Sequence, residues 1–560
     1  MFIANIKQEF YNAILYQRVL IIAVADCDSL CSCKILQSIL HSDNIGYTLV
    51  PVSGLQELER VYLEYSDQFK NIILINCGGN INIVEILQPE EDVTFYVIDS
   101  HRPFDLNNVF NQDQVKIILM EGETVDIPDF DDVFRQNEDE EDDDDDRDNL
   151  DNGSSADEEI EGSPRKRMKT DTLSKRRWLQ RRKEILFSYY EFAYYGTASA
   201  MIAFDLAWKL SKDNNDNLWW TIIGLTEQYL HQKIDRDKYV LDVSTIQGHV
   251  MRLNRTSDES GLSINCMKIG FENDLRLVLY KHWSLYESFY YSLYTACKFR
   301  IWTMKGKKNL HELLAEIGIP VKQAMQKFSS MDMEYKINVK EWIENLAQKF
   351  GLSDITFGSF RSQFGYKTKF TAADAVYGLI AIIEDMENPK PLSDKFLEAL
   401  DSLSRSKCKT LSEGIRKAKL QQIAIFKQVR NFIDMRQVVC AGPFLYACID
   451  EGSSDKKIFC KPTTLGKLAR FLLTAYVASS RNKLAASLPM VLVTPLDTDR
   501  GTSLVLGIPP IAEDTARKAF EQAAEKTKAR TLHDCFDSSI IEIKSEDRGK
   551  FFDALSALLA

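Results

Sequence analysis

Between residues 18 and 120 the chain repeats one pattern, a short apolar run followed by an amphipathic stretch and another apolar run. The runs are "RVLIIAVAD", "YTLVPV", "NIILINCGG" and "DVTFYVIDS", with a shorter one in "VKIILM". They have too few polar residues to leave one face in water, so each predicts a strand covered on both sides. The intervening "SLCSCKILQSILHS" and "LQELERVYLEYSDQF" carry apolar residues at helical spacing, which predicts helices laid against a sheet. Strand-helix alternation of this kind predicts an α/β fold with a doubly wound, mostly parallel sheet.

The pattern stops near residue 121. At 560 residues the chain should form two to four domains. Residues 126–183 read as a disordered loop, acidic first and basic afterwards. Residues 138–146 are nine consecutive acids, and without them the formal net charge of −13 would be −4. The acidity is therefore local and does not argue against a basic groove elsewhere. Residues 184–230 resume with "ILFSYYEFAYYGTASAMIAFDLAWKLS" and "LWWTIIGLTEQYL", both read as helical and as completing the first domain, residues 1–125. Residues 231–429 show helical periodicity and little β alternation. From 430 to 560 strands return in "QVVCAGPFLYACID", "PMVLVTPL" and "GTSLVLGIP", followed by a long helix in "DTARKAFEQAAEKTKAR" and a last strand, "SSIIEIK". That predicts a second α/β domain. No signal peptide and no run of 18 apolar residues is found, so no membrane partner is expected. The 11 cysteines follow no regular spacing and are read as reduced thiols of an intracellular protein.

Ligands of open α/β sheets bind beyond the carboxyl ends of the strands. There the first strand delivers Asp26 and Asp28, which strand alternation would aim at one site. The third gives Asn76, then Gly78 and Gly79, and the fourth gives Asp99, Ser100 and His101. This set resembles the DHH phosphoesterase family, which includes the exonuclease RecJ, inorganic pyrophosphatases and cyclic-dinucleotide phosphodiesterases. The resemblance implies a two-metal hydrolase site, but the matching positions depart from it. Asp26-Cys27-Asp28-Ser29-Leu30-Cys31 lacks the third acid and the glycine of the first motif. Asn76 puts an amide where a metal-bridging acid is expected, and Ser100 replaces the first histidine of Asp-His-His. In the last motif, "GLTEQ", Glu227 comes one position early and Gln228 stands at the acid's place. Two divalent ions need several anionic ligands to replace their hydration shells, so the expectation is an inactivated site with no catalytic residue, no metal and no cofactor. The alternative is a metal-dependent phosphoesterase or single-strand exonuclease with altered ligands. A plainer role for the remaining acids is that Asp28 or Ser29 caps the following helix while Asp26 accepts backbone N–H groups.

The resemblance extends from end to end. "DSHRP", "LWWTIIGLT", "LRLVLYKHWSL", "ALDSLSRS", "GPFLY" and "VLGIPP" are similar to the eukaryotic cell division control protein 45 family, described as inactive relatives of RecJ. Membership would imply a DHH-type domain, a helical insertion for assembly and a C-terminal DHHA1-like domain. It would also imply a nuclear scaffold in the CMG helicase with the hexameric Mcm ring and the GINS tetramer, needed for initiation and elongation of replication. Other initiation factors, the replicative polymerase and single-stranded DNA are further partners it suggests. No Gly-x-x-x-x-Gly-Lys-Ser/Thr loop is present, so this chain is not itself the motor.

Other signals are weaker. Arg165, Lys166, Arg167 and Lys169 form a short basic cluster suited to nuclear import, or simply balance the acids before it. Ser154, Ser155 and Ser163 have the neighbours of phosphorylation sites. The acidic run could be a solvated spacer, a repeller of DNA or a competitor for a basic groove. Cys27, Cys31, Cys33 and Cys77 match no zinc spacing and are read as buried thiols. Residues 275–325 are rich in aromatics; most are read as core, and the remaining surface as a partner site.

Overall fold

The computed structural model describes residues 1–134, 164–259, 267–364, 368–453, 455–497, 499–511, 516–517, 519–532 and 534–559. The acidic run and Ser154, Ser155 and Ser163 lie outside them. Residues Met1–Glu123 and Ala193–Ala560 form one unit, and Thr124–Phe192 another.

In the first unit, β1 (Val19–Val24), β2 (Tyr47–Val52), β3 (Asn71–Ile75), β4 (Thr94–Ile98) and β6 (Val115–Ile117) form a parallel sheet in the order β2-β1-β3-β4-β6. The two-residue β5 (His101–Arg102) leaves this sheet and pairs with β7 (Phe192–Tyr195). Both faces of the main sheet are covered, as the apolar runs require. Phe95 meets Tyr62 of the helix Leu55–Tyr65 on one side, while Tyr96 meets Phe10 on the other. The chain order reverses between β1 and β3, so the crevice lies at their carboxyl ends, where Asp26 and Asn76 follow.

Between the two α/β parts, helices surround an antiparallel sheet of β8 (Lys268–Leu275), β9 (Thr356–Phe364) and β10 (Thr368–Thr371). The expectation of little β structure in residues 231–429 is corrected here. Ser359 and Ser362 are buried on β9, so serines occupy positions where an apolar alternation would have been readable. The helix Cys408–Asp434 gives Leu411, Ile415 and Ala418 to the core of the first α/β part. It gives Ile425, Val429 and Phe432 to the core beneath the C-terminal sheet. The inserted helices thus share cores with both neighbours. The C-terminal sheet has six strands: Val439–Cys440, Leu445–Cys448, Met490–Asp497, Thr502–Ile508, Ile540–Lys544 and Thr531–Leu532, in that spatial order. Its expected long helix is shorter, Ala519–Thr527. Among the described residues no helix is long and apolar enough to cross a membrane.

In the other unit the basic half of the expected loop is helical. A helix of 27 residues, Pro164–Tyr190, carries Arg165, Lys166, Arg167 and Lys169 in its first turns. Its sequence has no glycine, is rich in Arg and Lys, and places proline at the first position. Trp178 Nε1 donates to the Asp131 carbonyl at 3.2 Å, and Arg181 pairs with Asp132 at 3.0 Å, which ties it to the short helix Phe130–Val133. The stretch read as one helix beyond residue 184 is broken by β7 before the helix Ser199–Lys209.

Candidate functional site

Asp26 and Asp28 do not share a strand face. β1 ends at Val24, Asp26 is the N-cap of the helix Cys27–Ser42 and accepts from Ser29 N at 2.6 Å, and Asp28 lies in that helix's first turn. Asp26 thus accepts a backbone N–H as expected, but it, and not Asp28 or Ser29, is the cap, because the strand ends at Val24 and the helix starts at Cys27. The two carboxylates still converge, through Asn76. Its backbone is left-handed (φ 53°), a region asparagine tolerates. Its Nδ2 reaches Asp26 Oδ2 at 3.3 Å and Asp28 Oδ2 at 3.2 Å. Its Oδ1 accepts from Ser100 N and Oγ, both at 3.1 Å, and from Ser199 Oγ at 2.5 Å. Asp28 also accepts from Ser199 N at 2.8 Å and Ala200 N at 3.0 Å, the N-terminal N–H groups of the helix Ser199–Lys209. Asp99 accepts from Gly79 N, His101 N and His101 Nδ1 within 2.8 Å. Gly224 backs this cluster; a Cβ there would stand 2.7 Å from Asp28 Oδ1 and from Ala200 Cβ, so the helix Asn215–Leu230 approaches only because that position is bare.

Every carboxylate oxygen of Asp26, Asp28 and Asp99 thus receives a hydrogen bond from the chain itself. Leu30 brings no charge, and Asn76 brings donors toward the acids instead of a third carboxylate. The residues present do not fit a pair of divalent ions, and among the described residues no group of three His, Cys, Asp or Glu is arranged to hold a metal ion. Cys27, Cys31, Cys33 and Cys77 are buried and unbridged.

Glu227 and Gln228 are both buried in the helix Asn215–Leu230. Glu227 faces the cluster, with His231 Nδ1 at 2.7 Å and Lys233 Nζ at 3.0 Å. Lys233 was not foreseen; it sits over the Tyr195 ring at 5.1 Å and brings a cation to the acids. Burial works against ionised Glu227, but Lys233 and His231 outweigh it and hold the carboxyl at about 2. Burial pulls His231 down to about 4, against Glu227. Burial and the neighbouring Asp26 push Asp28 up to about 7. As pH falls below the ordinary glutamate value, the unfolded chain takes a proton that folded Glu227 refuses. Stability is then lost from about pH 4.5 toward 2, by about 3 kcal/mol in all. Neutral His231 adds a loss between about 6.5 and 4 by the same sign. Glu227→Gln should therefore flatten the acid limb of a plot of denaturant midpoint against pH, and curves that stay parallel to the wild type would contradict this role.

Residues 534–539 close over the cluster. Asp534 accepts from Leu55 N at 2.7 Å through its carbonyl and from Gln56 N at 2.8 Å through its side chain. Asn80 donates to the Phe536 carbonyl at 2.7 Å, and Tyr195 donates to Asp537 at 3.1 Å. Beneath them lies a cavity of about 360 Å³ lined by Asp26, His101, Tyr195, Lys233 and Arg470 among others. In the aromatic segment of residues 275–325, Leu285 and Phe289 are buried. Tyr286 and Tyr290 are partly open, and Met304 and Met325 are exposed.

The CDC45 family model matches residues 19–558. The cell division control protein 45 homolog of Mus musculus is 46% identical over 571 aligned residues, covering 100% of both chains. That of Homo sapiens is 44% identical over 574, again covering 100% of both. The crystal structure of CDC45 from Entamoeba histolytica superposes with a TM-score of 0.70 at 23% identity, covering 100% of each chain, and is similar in fold.

Proposed function

The chain belongs to the CDC45 family, and from that premise we propose that it serves DNA replication in the nucleus as a non-catalytic subunit of the CMG helicase. Its partners would be the Mcm ring and the GINS tetramer, with single-stranded DNA, other initiation factors and the replicative polymerase in transient contact. The observation that carries the non-catalytic part is the Asn76 amide, which bridges Asp26 and Asp28. A hydrolase of this class would present those carboxylates to metal ions, whereas here the chain's own donors satisfy them. Residues 231–429 would supply assembly surfaces, and the exposed side of residues 275–325 is the candidate for one, since interface centres favour aromatic and methionine side chains.

Two measurements test this. Co-purification with Mcm and GINS subunits, followed by cross-linking, should place contacts on residues 275–325; a chain that captures neither assembly would overturn the subunit role. A labelled single strand incubated with the protein and Mn²⁺ should stay intact, whereas degradation abolished by Asp99→Asn would restore the exonuclease alternative.

A further inference from the structure

A second cavity, of about 490 Å³, lies where the inserted helices meet the helix Pro462–Ser479. Its size is that of a small-molecule site. Four cations line it, Arg236, which is paired, and Arg276, Lys467 and Arg470, together with the rings of Tyr229, Tyr294 and Tyr377. The Arg276 guanidinium lies 5.5 Å from the Tyr229 ring and 5.8 Å from that of Tyr294, and it donates to the Tyr229 hydroxyl. The Lys467 ammonium stands 5.2 Å over Tyr377.

Acids act on these cations only from beyond ion-pair distance: Glu384 and Glu227 on Lys467, Asp537 and Glu227 on Arg470, and Asp354 on Arg276. Among the described residues none of the three has a carboxylate within ion-pair distance. The nearby acids are engaged elsewhere. Glu384 accepts from Thr463 N and Thr464 Oγ1, Glu227 from His231 and Lys233, and Asp537 from Ser539 and Tyr195. Asp235, the acid in the lining, is exposed at the rim, and Arg236 is paired with Asp354. Burial pulls both Lys467 and Arg470 below their ordinary values. Half-buried cations without a directly paired carboxylate are costly, and guanidinium with ammonium is the donor set that suits phosphate oxygens. Tyr229 is already stacked on Tyr239, with ring centroids 4.1 Å apart, and Lys467 covers Tyr377, which leaves Tyr294 as the ring on which a nucleobase can stack.

We propose that this cavity binds a nucleotide, its base against Tyr294 and its phosphates on Lys467, Arg470 and Arg276. The ligand is either free or the terminal residue of a nucleic-acid strand, since both present the same chemistry. The site adjoins the cavity beside the Asp26–Asp28 cluster, with Arg470 lining both, and stands whether or not the chain joins a helicase.

Calorimetric titration of the full chain tests it, with ADP, adenosine, inorganic phosphate, and an oligothymidylate carrying or lacking a 5′-phosphate. ADP or the 5′-phosphorylated strand should bind at least about tenfold tighter than adenosine, phosphate or the 5′-hydroxyl strand. Which of the two binds identifies the source. Lys467→Gln with Arg470→Gln should weaken that binding at least about tenfold. The free variant should still unfold in one cooperative transition, which separates lost binding from lost folding. Tyr294→Leu should weaken ADP while leaving phosphate unaffected. No binding of ADP or of the phosphorylated strand at millimolar concentration would overturn the proposal. So would an undiminished affinity in the double variant, or phosphate binding as tightly as ADP.

Discussion

Asn76→Asp should cost the protein about 3–5 kcal/mol of stability near pH 8 and much less near pH 5. The substitution is nearly isosteric and restores the residue type that the DHH resemblance expects there. The acceptor side would survive, because Ser100 and Ser199 donate to Oδ1. The other side would be inverted. Where Nδ2 now donates to Asp26 and Asp28, a third carboxylate oxygen would face two others in a site where Asp28 and Asn76 are each 1% exposed. Like charges about 3.3 Å apart repel by roughly 5 kcal/mol at an effective dielectric of about 20, so the cluster would bind a proton instead. Asp28 already stands at about 7, through burial first and the neighbouring Asp26 second. A group whose folded value is raised keeps its stability at low pH and loses it as pH rises through that value, which sets the direction of the pH dependence. Asn76→Ala is the control. It removes the donors without adding charge and should cost about 2–3 kcal/mol. Urea unfolding at the two pH values separates them, and an Asn76→Asp protein as stable at pH 8 as the wild type would refute the bridging role.

How far this cluster could be read from the sequence depended on what held each residue in place. The strands were legible because β1, β3 and β4 are unbroken apolar runs ending in Asp26, Asn76 and Asp99. The sheet order then brings those three ends together at the switch point. What local spacing could not show was the source of the hydrogen bonds. Ser199 N and Ala200 N reach Asp28 from 171 and 172 residues away, and a backbone donor leaves no mark in the sequence. Lys233 left a weak one. Glu227 and His231 stand four apart on one helical face, the spacing at which side chains meet, and a lysine two residues further was the available signal for a buried charge pair. The inserted sheet was hidden by Ser359 and Ser362, polar residues buried on β9. The basic stretch before residue 184 was judged by its charge, although its helix-forming composition and Pro164 were equally visible. Counting charges misled there because a charged helix needs only propensity and a few partners, which Asp131 and Asp132 provide.

Removal of Arg102, within "DSHRP", should have the second large effect. Arg102 is 2% exposed. Its Nη1 donates to the carbonyls of Asp99 at 2.7 Å and His101 at 3.0 Å, its Nη2 pairs with Glu123 at 2.8 Å, and its guanidinium lies 4.0 Å over the Phe104 ring. It therefore fixes the backbone that aims Asp99 and His101. It is also what holds Glu123 below the ordinary glutamate value, against the effect of burial. Arg102→Ala would empty a large buried volume, orphan two carbonyls and leave Glu123 without its cation, a combination worth about 3–5 kcal/mol. Arg102→Met fills most of the volume and isolates the polar part, so it should recover roughly 1–2 kcal/mol of that loss. Adding Glu123→Gln to Arg102→Met should recover more, because the unpaired carboxylate is then gone. Unfolding midpoints of the three proteins decide the point. If Arg102→Met and its double variant are equally stable, the Glu123 pair contributes nothing and Arg102 acts only through packing and its two carbonyls.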